Sequence, residues 1–154
     1  RNLYDNMPKL SEDKVIKKTF CILESYGWKG LKGSYCHGDF TLENIIWDVQ
    51  DGFYLIDFLD TFLDSWIYDI SKVLQDLLVG WSFRHELAQN SVISENVKVK
   101  VLLLNKLFIS RFESVIDRED IWENIYHFLL MNLLRIIPYL TDEKVLQEIF
   151  YLHM

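Results

Sequence analysis

Residues 35–58 read YCHGDFTLENIIWDVQDGFYLIDF, and this stretch decides the fold class. Two short apolar runs, residues 45–48 and 53–58, flank the sequence VQDG, whose Asp51-Gly52 pair is a strong signal for a tight turn. We therefore predict a β-hairpin that is entered through the polar loop HGDFTLEN. A two-stranded hairpin is only marginally stable alone, so we expect it to pack against helices.

Around the hairpin, apolar residues recur at helical spacing. Five helices are predicted, over residues 11–27, 65–80, 95–115, 118–139 and 142–153. Ser11 is a candidate N-cap, Gly80 suits a helix stop, and Pro138 is expected to bend or end the fourth helix. Two strands and about five helices predict an α+β fold that is mostly helical, with the hairpin embedded early among helices.

Composition narrows the class of protein. A chain of 154 residues that is 50% hydrophobic is long and apolar enough for one domain with its own core. No apolar run approaches the roughly 20 residues that a membrane span needs, and a net charge of −7 argues against a nucleic-acid partner. Cys21 and Cys36 show no metal-ligand spacing, so we expect two reduced thiols in or near the core and a cytoplasmic protein.

Three oxygen-bearing side chains are predicted to converge beside the hairpin. Antiparallel pairing returns the chain to its starting point, so Asn44, before the first strand, and Asp57, at the end of the second, come near each other. Carboxylate and amide oxygens suit Mg²⁺. Asp39 is then free to orient a hydroxyl nucleophile. The alternative is that such loop residues merely cap turns, as a single Asp or Asn often does.

The sequence HGDFTLEN followed by LIDF resembles the catalytic loop and metal-binding segment of the aminoglycoside phosphotransferase and choline kinase group of kinase-like enzymes. The pattern His-x-Asp-x-x-x-x-Asn matches at His37, Asp39 and Asn44, and the Ile-Asp pair matches at Ile56 and Asp57. The resemblance implies that Asp39 accepts or orients the proton of the acceptor hydroxyl. It also implies that Asn44 and Asp57 hold Mg²⁺ on the phosphates of ATP or GTP, and that His37 braces the loop.

The next helix extends the resemblance, because IYDISKVLQDL is similar to a helix start in this family. The similarity implies that Asp69 is a buried carboxylate that hydrogen-bonds the backbone of the catalytic loop. Two positions differ from relatives. Leu59 stands where protein kinases have Gly, and the acidic residue that many relatives carry two positions after the metal-binding Asp is displaced to Asp60. The displacement leaves a catalytic use of Asp60 open.

The resemblance covers about residues 35–78 and implies a domain organisation. Complete enzymes of this group have an N-terminal lobe with a nucleotide-covering loop and a phosphate-binding Lys, and residues 1–34 carry neither. Because the chain also opens with Arg1, we expect residues 1–154 to be the C-terminal lobe of a longer protein, with the N-terminal lobe absent. The exposed apolar surface around Ile46 and Tyr54 would then favour dimerisation.

The expected function is that of an ATP- or GTP-dependent phosphotransferase acting on a hydroxyl of a small molecule. The acceptor types that the resemblance implies are an aminoglycoside, choline or another amino alcohol, or a sugar, and the sequence does not choose among them. The isolated lobe is expected to be inactive. The alternative is a non-catalytic binding or scaffold module with the same fold, which the intact Asp39, Asn44 and Asp57 set disfavours.

Overall fold

The computed structural model describes residues 14–61, 63–87, 92–116 and 118–137. Within these ranges the chain forms five α-helices, two single-turn 3₁₀ helices and one two-stranded antiparallel sheet. The elements are α1 (Lys14–Ser25), β1 (Ile45–Asp48), β2 (Gly52–Leu55), α2 (Trp66–Val79), α3 (Arg84–Leu87), α4 (Val92–Glu113) and α5 (Glu119–Ile136), with 3₁₀ turns at Leu42–Asn44 and Trp81–Phe83. The α+β, mostly helical fold class is confirmed.

The core lies between α2 and α5, with α1 packed on α5 and α4 packed on α2. Leu74 on α2 meets Ile125, Phe128 and Leu133 on α5 in one apolar cluster, and each of these side chains is at most 1% exposed. Burying a side chain of this size contributes about 1.5–3 kcal/mol. This helix pair therefore forms the packed base on which the loop of residues 37–44 rests.

A short polar network also joins α2 to α5 inside the core. The Tyr68 hydroxyl donates to Asn132 Oδ1 at 3.0 Å, and Asn132 Nδ2 donates to Ser71 Oγ at 2.9 Å. Buried polar groups that satisfy one another in this way have few alternative pairings. The network therefore fixes the position of α2 along α5.

The hairpin forms with the predicted turn but does not pack as predicted. Trp47 lies directly opposite Phe53 in the register, with ring centroids 4.4 Å apart. Apart from Ile45 and Gly52, which are partly buried, every strand residue is exposed. The expectation that the hairpin packs against the helices is therefore wrong, and the cross-strand aromatic pair supplies part of its stability instead.

Strand β2 also ends three residues before the predicted boundary, at Leu55. The cause is Asp57, which has a φ of 59° and so lies in the left-handed region. Extended backbone cannot continue through a residue in that conformation. The chain therefore leaves the sheet at the position where the sequence predicts a metal ligand.

The predicted helices that fall among the described residues are present, and short helical turns that were not predicted occur as well. α2 begins after Ser65 and ends at Gly80, whose φ of 69° is the left-handed conformation expected of a glycine helix stop. α4 and α5 are confirmed, whereas the 3₁₀ turn at Trp81–Phe83 and the short α3 were not predicted. The proposed cap Ser11, Pro138 and the predicted helix over residues 142–153 lie outside the described residues.

Two predictions from composition can be compared with the structure. Cys21 and Cys36 are both free thiols, but Cys21 is exposed on α1, so the expectation that both lie in or near the core is wrong for Cys21. Cys36 is partly buried. In the part of the chain that the structure describes, none of the helices combines the length and apolar character that crossing a membrane requires.

Candidate active site

The loop of residues 37–44 lies against one charged face of α2. Asp69, Lys72 and Asp76 are spaced i, i+3 and i+7, which places them on the same side of a helix. Asp69 accepts hydrogen bonds from the backbone N–H groups of His37, at 2.7 Å, and Gly38, at 2.9 Å. Asp69 therefore hydrogen-bonds the loop backbone, as the resemblance implied, but it is partly rather than fully buried.

Asp76 anchors the other end of the loop from a fully buried position. Its carboxylate accepts hydrogen bonds from the backbone N–H of Leu42, at 2.5 Å, and from the backbone N–H and hydroxyl of Ser82, both at 2.8 Å. Burial raises the pKa of Asp76, and the hydrogen bonds from Leu42 and Ser82 oppose that shift. Asp76 thus joins the loop to the turn that follows α2.

Asp39 is held at both of its carboxylate oxygens. Its Oδ1 lies 2.9 Å from Lys72 Nζ. Asn44 Nδ2 donates to the Asp39 backbone oxygen at 2.8 Å and approaches Asp39 Oδ2 at 3.3 Å. Burial lowers the pKa of Lys72, against the opposing effect of the Asp39 hydrogen bond and charge. The predicted nucleophile-orienting Asp39 and the predicted ligand Asn44 are therefore in direct contact.

Asp57 is brought to the same loop by two backbone hydrogen bonds that bracket it. The N–H of Ile56 donates to the Asn44 carbonyl at 3.1 Å, and the N–H of Leu59 donates to the His37 carbonyl at 2.9 Å. Between these bonds Asp57 takes its left-handed backbone conformation, which costs a non-glycine residue about 1–2 kcal/mol. Such strain is kept where surrounding contacts over-determine it and is common at functional sites.

His37 and Gly38 begin the loop and contact the segment that follows the hairpin. The His37 side chain is buried, stacks on the Phe58 ring with centroids 4.3 Å apart, and accepts a hydrogen bond from the Asp39 N–H at Nδ1, 3.3 Å away. Gly38 has a φ of 83°, and a Cβ atom there would lie 2.1 Å from the Leu59 carbonyl oxygen. Only glycine allows the loop and the Asp57 segment to approach this closely.

The donor chemistry at Asn44 and Asp57 fits a magnesium ion. Because Asn44 Nδ2 is engaged with Asp39, the Asn44 Oδ1 atom is left as an acceptor that no described residue occupies. The Asp57 carboxylate is exposed and has no hydrogen bond or ion pair with a described residue. Mg²⁺ typically takes one or two protein oxygens and completes its shell with waters and phosphates. The described residues contain no cluster of three or more His, Cys, Asp or Glu side chains placed to hold a metal.

Sequence reasoning missed two of the residues that build this site, Lys72 and Asp76. Both are buried charged residues on a helix whose other buried residues are uncharged. Charged residues are almost never fully buried unless they are paired. Their i, i+3, i+7 spacing with Asp69 was the available signal, because it places three charges on the face that the loop covers.

In this structure α2 holds the loop that carries Asp39 and Asn44, and Asp57, in a left-handed conformation, lies next to that loop. Residues 11–92, slightly more than half of the chain, match the phosphotransferase enzyme family (APH). The chain belongs to this family, which confirms the resemblance identified in the sequence. No curated protein and no solved structure matches the chain.

Replacing Asp69 by Ala is expected to lower the free energy of unfolding by about 1–3 kcal/mol, because the N–H groups of His37 and Gly38 lose their acceptor. Urea unfolding of the purified protein measures the change. Asp60→Ala, which alters an exposed carboxylate in the neighbouring segment, is the matched control and should stay within about 0.5 kcal/mol. Equal unfolding midpoints for the two variants would contradict the anchoring role of Asp69.

Proposed function

We propose that this chain carries the catalytic residues of a magnesium-dependent phosphotransferase that moves the γ-phosphoryl group of ATP or GTP to a hydroxyl of a small molecule. The observation that carries the proposal is the convergence of Asp39, Asn44 and Asp57. A side-chain contact joins the first two, and the backbone bond from Ile56 to Asn44 brings the third to the same place. Membership of the phosphotransferase enzyme family supports the same class of reaction.

In the proposed reaction Asp39 receives the proton of the acceptor hydroxyl. The acceptor oxygen forms a bond to the γ-phosphorus, and the bond from that phosphorus to the β,γ-bridging oxygen breaks, its electron pair leaving with the nucleoside diphosphate. Asp39 suits this task because its carboxylate is fixed by Lys72 and Asn44 yet remains 27% exposed. Positioning of this kind supplies most of the catalysis in phosphoryl transfer.

Asn44 and Asp57 would hold Mg²⁺ through Oδ1 and the carboxylate respectively. The ion, when bound, would neutralise charge on the nucleotide phosphates. His37 has a supporting role in this proposal, since its buried ring braces Phe58 while its backbone holds Leu59. Asp60 is exposed beside this segment and has no assigned role.

The remaining parts of the proposal concern the acceptor and the rest of the protein. An aminoglycoside, choline or another amino alcohol, and a sugar are the acceptor types considered. We further propose that residues 1–154 act as the C-terminal lobe, with a nucleotide-binding lobe outside this chain. The exposed apolar side chains of the hairpin, including Ile46 and Tyr54, support a covering partner because large exposed apolar patches mark interaction surfaces.

The proposal is tested with the full-length protein, Mg²⁺ and either ATP or GTP, using kanamycin, choline and glucose as acceptors. We expect one acceptor to raise the release of nucleoside diphosphate above the rate with water alone, and mass spectrometry to show a phosphorylated product. The absence of turnover with every pair of nucleotide and acceptor, and with water, would favour the non-catalytic binding or scaffold module.

The 154-residue chain alone is expected to bind ATP·Mg²⁺ weakly, with a Kd on the order of millimolar, or about −4 kcal/mol. The reason is that Asn44 and Asp57 provide the metal-mediated contact, while the proposed missing lobe provides most other contacts to the nucleotide. The chain should also self-associate through the exposed surface around Ile46 and Tyr54. Calorimetric titration and light scattering check both points, and micromolar binding by a monomer would refute the missing lobe.

A further inference from the structure

Lys72 is the one member of the charged face of α2 that contacts a side chain of the loop rather than its backbone. Asp69 and Asp76 accept backbone N–H groups at the two ends of the loop, and Lys72 lies between them on the helix. Its ammonium group is 2.9 Å from Asp39 Oδ1. Lys72 on α2 therefore contacts Asp39, the carboxylate that receives the proton of the acceptor hydroxyl in the proposed function.

The environment of Lys72 differs from that of an ordinary surface ion pair. Its side chain is 3% exposed, whereas the other ion pairs among the described residues, such as Lys98 with Glu95, lie at the surface. Exposed pairs are weakly held, since solvent competes for both partners. A nearly buried lysine has little freedom to move away, so Lys72 holds Asp39 Oδ1 in one place.

The second carboxylate oxygen of Asp39 is then the one left for chemistry. Asp39 Oδ1 is taken by Lys72, and Oδ2 makes only the longer, 3.3 Å contact with Asn44 Nδ2. A carboxylate fixed at one oxygen can rotate little about its terminal bond. Oδ2, whose contact with Asn44 Nδ2 is the longer of the two, therefore keeps one direction, which is the condition for accepting a proton from a bound hydroxyl.

Resting on the proposed function, we propose that Lys72 is a positioning residue for the phosphoryl transfer: it fixes Asp39 Oδ1 so that Oδ2 faces the acceptor hydroxyl. The role differs from that of Asp69 and Asp76, which hold the backbone of the loop. Loss of Lys72 should therefore slow the chemical step while leaving the loop and the nucleotide site in place.

The test is a double-mutant cycle in the full-length protein, with Lys72→Met, Asp39→Asn and the double variant. Turnover is measured with Mg·ATP and kanamycin, choline or glucose, and with water alone. Lys72→Met is expected to lower kcat about 100-fold with the KM for ATP within about twofold, because a misplacement of about 1 Å costs that much. The double variant should fall no further than Asp39→Asn, since Lys72 acts through Asp39.

Lys98→Met is the matched control, because it removes an exposed lysine whose ion pair with Glu95 lies on the surface of α4. Its kcat should equal that of the wild type. Losses that multiply in the double variant, or an unchanged kcat for Lys72→Met, would overturn the positioning role. If Lys72→Met fails to fold by circular dichroism, Lys72→Gln takes its place in the same cycle and decides by the same two outcomes.

A further variant, Asp57→Asn, measured beside the cycle, separates this inference from the proposed function. Asp57→Asn that keeps full turnover would overturn the proposed function, and with it the role of Lys72. Asp57→Asn that abolishes turnover, together with independent effects of Lys72 and Asp39, would overturn only the role of Lys72.

Discussion

Asp57→Ala in the full-length protein is expected to lower the kcat for phosphoryl transfer about 1000-fold. The variant removes an exposed carboxylate that the structure leaves without a partner among the described residues, and with it one of the two proposed oxygen ligands for Mg²⁺. Losing a single preorganised electrostatic group commonly costs 100- to 1000-fold in kcat. The magnesium concentration needed for half-maximal turnover should rise as well. Steady-state kinetics at a series of Mg²⁺ concentrations measures both quantities.

The backbone of Asp57 calls for a second variant, because Ala tolerates a φ of 59° less well than Asp does. Asp57→Asn removes the charge but keeps a side chain that suits the left-handed region. We expect Asp57→Asn to lose activity with an unchanged free energy of unfolding, and Asp57→Ala to lose about 1 kcal/mol in addition. Turnover at the wild-type rate in either variant would remove Asp57 from the proposed site.

Asp51→Asn is the matched control for these variants. It makes the same chemical change at an exposed position in the hairpin turn, and Asn-Gly is as good a turn as Asp-Gly. Its turnover and its unfolding midpoint should both equal those of the wild type. A loss of activity in Asp51→Asn would show that the assay responds to the charge of the hairpin rather than to the Asp57 ligand.

The meeting of Asn44 with the Asp57 segment could be predicted from the sequence because it depends on a local rule. The Asp51-Gly52 turn fixes the hairpin, and an antiparallel hairpin returns the chain to the residue before its first strand. The contacts of Asp69 with the loop backbone were expected from the family resemblance. The spacing of residues along the helix alone did not identify the loop as the partner of Asp69. The extent of α2 followed from apolar periodicity and from Gly80 as a stop.

The left-handed turn at Asp57 could not be predicted, because it depends on contacts between distant segments. The two hydrogen bonds on either side of Asp57 are accepted by the carbonyls of His37 and Asn44. Leu59 can approach the loop closely because Gly38 has no side chain. The position of the hairpin relative to the helices was mispredicted for a related reason. The hairpin was expected to lie against helices of this chain, whereas all of its strand residues except Ile45 and Gly52 are exposed. The predicted exposure of Ile46 and Tyr54 is confirmed.

The partners of Lys72 and Asp76 were hidden for a third reason. Helical periodicity says which residues share a face, but it does not say which loop covers that face. The loop of residues 37–44 packs on this face of α2. There Lys72 forms an ion pair with Asp39, and Asp76 accepts a hydrogen bond from the Leu42 N–H. Charged residues among the apolar positions of a helix are nevertheless a usable signal for where such a loop will dock.

Asp76→Ala is expected to be the most destabilising of these substitutions, lowering the free energy of unfolding by about 3–5 kcal/mol. The carboxylate is 0% exposed, and its loss leaves three donors without an acceptor: the N–H of Leu42 and the N–H and hydroxyl of Ser82. Each unpaired buried donor costs about 1–3 kcal/mol, and water cannot readily replace the carboxylate at a fully buried site. Urea unfolding followed by circular dichroism measures the change.

Ser82→Ala separates the contributions within this cluster. It removes the hydroxyl, which donates to Asp76 and accepts from the backbone N–H of Glu43, and it keeps both backbone bonds to Asp76. Its cost should be about 1 kcal/mol, well below that of Asp76→Ala. The order Asp76→Ala, then Asp69→Ala, then Ser82→Ala follows from how many donors each change leaves unpaired and how deeply they are buried. A smaller loss for Asp76→Ala than for Asp69→Ala would contradict this order, because it would mean that the partly buried carboxylate of Asp69, rather than the fully buried one of Asp76, holds the loop on α2.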